Sequence, residues 1–195
     1  EKPVSVAVTD LKVTILFGRL IPFFVQKFVA SKFYPGPGST YIVYPDAGQF
    51  RRSRDLVDRL APLASDHVLH REMKRSGESK SGSSELVFQS ATGEILPSSA
   101  KFKADDHILI MDDFTNSGTT LFGAADVIEK YLEDSASRPA IHMFVAHFPA
   151  MYEPAQVEKL RKKVHALESC RFTTTNTIPF AANLLKDDPR FEILD

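Results

Sequence analysis

The sequence predicts an α/β fold: an open, mostly parallel sheet flanked by helices on both faces. Short apolar runs rich in β-branched and aromatic residues alternate with segments of helical length and spacing, and strand, helix, strand alternation signals parallel pairing through crossovers. The 195 residues fit one large α/β domain and suffice for a substantial core. An oily run, Ile108 to Met111, then ends in paired acids and a turn of small hydroxyl residues and glycine. Such a turn puts polar groups where open α/β sheets bind ligands.

Taken in order, Val4 to Val8 reads as the first buried strand, and Ile21 to Phe33 as the first helix. Tyr34 to Ser39, with its Pro-Gly-Pro-Gly run, is a tight connector into a second buried strand, Thr40 to Tyr44. Arg51 to Leu60 has helical spacing. Val68 to Leu69 and Leu86 to Phe88 are short strand candidates on either side of Arg71 to Ser84, which is rich in Lys, Arg, Gly and Ser, has no apolar period and reads as a mobile loop. The strand His107 to Met111 precedes a helix over Thr119 to Tyr131, the strand Ile141 to Ala146 precedes a helix over Pro154 to Leu167, and Arg171 to Thr174 is the last strand candidate.

Hydrophobic residues make up 43% and charged ones 25%, with a formal net charge of −1. This excludes a disordered chain and a generally basic nucleic-acid binder. The apolar stretch from Val13 to Phe33 is broken by Gly18, Arg19, Pro22, Gln26, Lys27 and Lys32, so it does not span a bilayer. The single cysteine, Cys170, and the lack of zinc-ligand spacing point to a reducing compartment, with the cytoplasm as the expected location. The chain begins at Glu1 rather than methionine, which raises the expectation that it was cut from something longer; processing would look the same.

The turn from Phe114 to Gly118 follows the central strand and precedes a helix, so its backbone N–H groups and the helix's positive end form an anion site suited to a phosphate. Ser117, Thr119 and Thr120 add hydroxyl donors, and Gly118 permits close backbone approach. Asp112 and Asp113 stand just before the turn, where carboxylates accept hydrogen bonds from sugar hydroxyls or act with Mg2+. A carboxylate pair capping the next helix or facing water is the plainer alternative.

The order of apolar strand, two acids, four variable residues and Gly-Thr-Thr resembles the phosphoribosyl pyrophosphate (PRPP) motif of type I phosphoribosyltransferases and PRPP synthetases. The resemblance implies a phosphoribosyltransferase-like fold in which Asp112 and Asp113 hold ribose hydroxyls and Asn116, Ser117, Gly118, Thr119 and Thr120 cradle the 5-phosphate. Tyr44-Pro-Asp-Ala-Gly-Gln-Phe-Arg-Arg52 resembles the loop that contacts pyrophosphate in PRPP synthetases, which assigns Asp46, Ala47, Gly48 and Gln49 to pyrophosphate and makes Asp46 a metal ligand. His70 to Ser76 lies where those enzymes carry a basic catalytic loop, making Arg71, Lys74 and Arg75 catalytic candidates; a solvated charged loop is the other reading. Ile141 to Pro149 and Phe172 to Pro179 resemble two further stretches in the same order. His147 is read as packed or hydrogen-bonded at a strand end.

The implied activity is ribose-phosphate pyrophosphokinase: pyrophosphate passes from ATP to ribose 5-phosphate, giving PRPP and AMP for nucleotide biosynthesis, with Mg2+ as cofactor. A homo-oligomer is implied, and neither nucleic acid nor membrane is an expected partner. PRPP synthetases resemble two copies of this fold in tandem, so the resemblance implies that residues 1–195 are a single phosphoribosyltransferase-like domain, the carboxyl-terminal part of a longer two-domain chain. At Asp10-Leu-Lys12 the sequence carries lysine where the family has a metal-binding histidine. Two alternatives follow: a self-contained phosphoribosyltransferase that consumes PRPP and a nucleobase, and a non-catalytic subunit associated with a PRPP synthetase.

Overall fold

A computed structural model describes residues 4–8, 11–15, 40–46, 49, 67–72, 85–90, 95–96, 102–132 and 138–194. An antiparallel hairpin of β1 (Val4–Val8) and β2 (Leu11–Ile15) opens the chain, with Lys12 opposite Ala7. The main sheet contains β3 (Thr40–Tyr44), β4 (His67–Glu72), β5 (Glu85–Ser90), β6 (Ile95–Leu96), β7 (His107–Phe114), β8 (Ala140–His147), β9 (Cys170–Thr175) and β10 (Phe191–Leu194). Its spatial order is β10-β9-β8-β7-β3-β4-β5-β6. Pairing is parallel from β10 across to β4, and antiparallel from β4 to β5 and β6.

Three helices belong to the described residues: α1 (Thr119–Leu132), α2 (Pro154–Ala166) and α3 (Pro179–Leu185). Proline opens both α2 and α3, where its missing N–H costs nothing and its fixed φ suits the first turn. Val157, Leu160 and Val164 of α2 are buried at helical spacing. They pack with Leu121, Ala125 and Ile128 of α1 onto the face of the sheet carrying Ile108, Ile110, Met143, Val145 and Phe172.

β7 is the centre of the sheet. Ile108, Leu109, Ile110 and Met111 are all fully buried, as a parallel strand covered on both faces must be, so its apolar run is continuous rather than alternating. After β3 the chain builds outward through β4, β5 and β6, then returns to place β7 on the other side of β3 and builds outward again through β8, β9 and β10. The order therefore reverses between β3 and β7. A crevice at the carboxyl ends of those two strands is the expected ligand site of such a sheet.

Several elements differ from the sequence expectation. β7 runs on through Phe114, and β2, β6, β10 and α3 have no counterpart among the expected elements. Arg71 does not begin a loop: β4 continues through Glu72, with Arg71 opposite Leu86 in an antiparallel ladder. Polar residues in an edge-side antiparallel pair escape an apolar criterion because only backbone pairing is required there. The expected helices at 21–33 and 51–60 lie outside the described residues, although Gln49 is helical.

Candidate functional site

Asp112 and Asp113 close β7. Asp112 is buried, whereas Asp113 and Phe114 are exposed, because the strand emerges from the covered part of the sheet between residues 112 and 113. The Asp113 backbone N–H donates to Asp112 Oδ1 at 2.9 Å. Burial pushes the Asp112 carboxyl up from 3.8 to about 7; hydrogen bonding and charge from Asp113 add to this, the backbone bond opposes it, and the charge of Asp46 contributes further. Asp46, at the end of β3, thus lies within electrostatic reach of the pair across the switch point. Hydroxyl donors or a cation placed against the Asp112 carboxylate would favour its ionised form.

The turn that follows is organised by Thr115, which sequence reasoning missed. Its backbone N–H donates to the His147 carbonyl at 3.1 Å, and its buried Oγ1 accepts the Gly118 N–H at 2.9 Å. A hydroxyl three residues before the glycine is a turn-forming signal visible in sequence. Gly118 sits at φ 71°, and a Cβ there would come within 2.7 Å of the Phe122 ring. Glycine is thus required by backbone conformation and packing, beyond the close approach expected for a ligand. The Gly118 carbonyl accepts the Phe122 N–H at 2.9 Å, which makes Gly118 the cap of α1. Helix geometry then leaves the N–H groups of Thr119, Thr120 and Leu121 without intrahelical acceptors, at the end of the helix where anions are favoured. The hydroxyls of Ser117 and Thr119 lie 2.8 Å apart, forming a polar lip beside those donors.

Asn116 has a role beyond the loop: its Oδ1 accepts the Met151 N–H at 3.3 Å. Ala150, Met151 and Tyr152 form a single turn after β8 with φ values of 50°, 51° and 56°. Nothing in the sequence marks it, because no glycine supplies the left-handed backbone. His147 is hydrogen-bonded at its strand end, with Nδ1 2.8 Å from Thr177 Oγ1.

Just beyond the neighbouring strand, Asp46 Oδ1 accepts the Gln49 N–H at 2.8 Å, the i to i+3 bond that a capping carboxylate makes. Gln49 is 1% exposed, so its side chain is not offered to a ligand. Ala47, Gly48, Lys74 and Arg75 lie outside the described residues, and Arg71 is seen only as part of β4. The structure therefore brings together Asp46, Asp112, Asp113 and the 114–120 loop.

The acids supply hard oxygen donors of the kind Mg2+ takes along with phosphate oxygens. Among the described residues, no group of three or more ligating side chains forms a metal cage. No helix of the described residues is long and apolar enough to cross a membrane.

No family model matches the chain. Over 151 residues it is 28% identical to ribose-phosphate pyrophosphokinase A of Dictyostelium discoideum, an alignment covering 77% of this chain and 38% of that protein. The chain thus spans well under half the length of this relative. Adenine phosphoribosyltransferase from Saccharomyces cerevisiae, solved with an imino-altritol bisphosphate and adenine, superposes with a TM-score of 0.38 at 17% identity, over 74% of this chain and 72% of the enzyme. That superposition is too loose to define a common fold.

Proposed function

We propose that this chain is the sugar-phosphate-binding domain of a ribose-phosphate pyrophosphokinase, with a phosphoribosyltransferase-like fold. The observation that carries this reading is the switch point of the sheet, where Asp46 just after β3 acts on the acids of β7 and those acids lead directly into the turn that caps α1. A phosphomonoester on the Thr119 to Leu121 amides places its sugar hydroxyls toward Asp112 and Asp113, which accept their hydrogen bonds once ionised. Similarity to the Dictyostelium pyrophosphokinase supports the choice among sugar phosphates.

In that reaction the 1-hydroxyl oxygen of ribose 5-phosphate attacks the β-phosphorus of ATP. The bond from that phosphorus to the α,β-bridging oxygen breaks, AMP departs with the oxygen, and the hydroxyl proton passes to solvent. The residues here position the acceptor sugar, and Mg2+, when bound, neutralises polyphosphate charge. By the family resemblance, Arg71 near the end of β4 and Lys74 and Arg75 just after it in sequence are assigned to charge neutralisation over the transferring group.

The test supplies the full-length protein with ribose 5-phosphate, ATP and Mg2+ and follows AMP and PRPP. Stoichiometric AMP and PRPP are expected. Ribose 5-phosphate binding without AMP release would reject the kinase assignment in favour of a non-catalytic subunit, and consumption of PRPP with a nucleobase in the absence of ATP would make the protein a phosphoribosyltransferase.

A further inference from the structure

The carboxyl ends of β8 and β9 carry a chain of side chains that the proposed reaction does not use. His147 Nδ1 lies 2.8 Å from Thr177 Oγ1, Thr177 Oγ1 lies 2.8 Å from Thr175 Oγ1, and Thr175 Oγ1 lies 2.6 Å from the Ala146 carbonyl. Each of these contacts needs a hydrogen, because lone pairs meeting at such distances repel. A carbonyl has none, and each threonine hydroxyl brings one. Thr175 must give its hydrogen to Ala146, so Thr177 gives its own to Thr175. The remaining hydrogen can come only from the imidazole. The ring is therefore protonated at Nδ1, and the relay runs one way: His147 Nδ1–H to Thr177, Thr177 to Thr175, Thr175 to the Ala146 carbonyl.

The relay ends where the sugar-phosphate loop begins. Its last acceptor is the carbonyl of Ala146, its first donor is the ring of His147, and the carbonyl of His147 itself holds the Thr115 N–H at 3.1 Å. Thr115 in turn holds Gly118, the cap of α1, through its Oγ1. Residue 147 is thus bracketed on one side by the β9–α3 connection and on the other by the loop. Phe114, the last residue of β7, is its partner in the ladder.

We propose that His147 and Thr177 are positioning residues for the 115–118 loop: the relay fixes the end of β8, and the end of β8 fixes the loop. They act through Thr115 and touch no substrate. The ligand readout below rests on the sugar-phosphate reading, whereas the first two readouts do not.

The experiment uses the full-length chain and its Thr177→Val, Thr177→Ser, His147→Asn and His147→Gln variants. Nitrogen-15 spectra of the free protein are expected to show the Nδ1–H tautomer of His147, and amide exchange at Thr115 and Gly118 is expected to quicken at least about threefold in Thr177→Val, the scale of losing one modest hydrogen bond. Ribose 5-phosphate affinity should fall by a similar factor, in KM rather than kcat. Thr177→Ser should restore both. The amide nitrogen of asparagine can replace Nδ1–H and that of glutamine replaces Nε2–H, so His147→Gln should be the more damaging substitution.

An Nε2–H tautomer in the wild type, or wild-type exchange at Thr115 and Gly118 in Thr177→Val, would overturn the proposal. If the wild type binds no ribose 5-phosphate, the functional reading fails, and the tautomer and exchange data still decide the relay.

Discussion

Asn116 and Met151 come from loops after different strands, yet Asn116 Oδ1 accepts the Met151 N–H at 3.3 Å. That bond ties the 114–118 loop to three consecutive non-glycine residues in left-handed backbone. Each such residue costs roughly 1–2 kcal/mol. Met151 is 60% exposed, so Met151→Gly gives up little burial. After the entropy cost of glycine we expect a gain of about 0.5–1 kcal/mol in denaturant unfolding. A loss of stability would show that the methionine side chain holds the turn.

Gly118→Ala should have the opposite effect. The new methyl group meets the Phe122 ring in an already left-handed backbone. A destabilisation of about 2–4 kcal/mol is expected from strain and overpacking together, with loss of phosphate binding because the first turn of α1 shifts. Calorimetry and a phosphate-ester titration would check the two effects separately.

Asp112 gives the folded state an acid pushed up to about 7 from 3.8, chiefly by burial. Between those values the folded chain holds more protons than the unfolded one, so this residue's contribution favours folding at low pH and is lost as pH rises toward 7. Asp112→Asn should remove that slope and be the more stable protein at pH 8, by up to a few kcal/mol. Ligand affinity should run the other way, rising in the wild type as Asp112 ionises and falling sharply in the variant. Unfolding curves from pH 4 to 8 and sugar-phosphate titrations over the same range would check this.

His142 contributes an opposing slope. Burial, with the charges of His107 and Arg171, pushes its ring down from 6.5 to about 4. The unfolded chain therefore binds the extra proton between those values, and this residue's contribution to stability is lost as pH falls from 6.5 toward 4. Replacing His142 with glutamine, which does not titrate, should flatten the acid side of the profile and leave the slope from Asp112 exposed. An unchanged acid limb in His142→Gln would refute the assignment.

What the sequence determined by itself was local. The apolar run of β7, the acids that end it and the glycine and hydroxyl residues before α1 follow from side-chain composition and spacing over about a dozen residues. The expected helices at Thr119 and Pro154 likewise begin where the chain places them, because capping and proline chemistry are written in neighbouring residues. Arg71, β10 and α3 were misread or missed where apolar pattern is weak and tertiary pairing sets the backbone. Tertiary structure alone decided the strand order, which puts the end of β3 beside the end of β7 and lets Asp46 act on Asp112. It also decided the bonds from Thr115 to His147, from His147 to Thr177 and from Asn116 to Met151. These join residues about thirty or more positions apart, and no local propensity specifies them. They exist because neighbouring parallel strands end together, and polar groups gathered at that edge must find partners in one another.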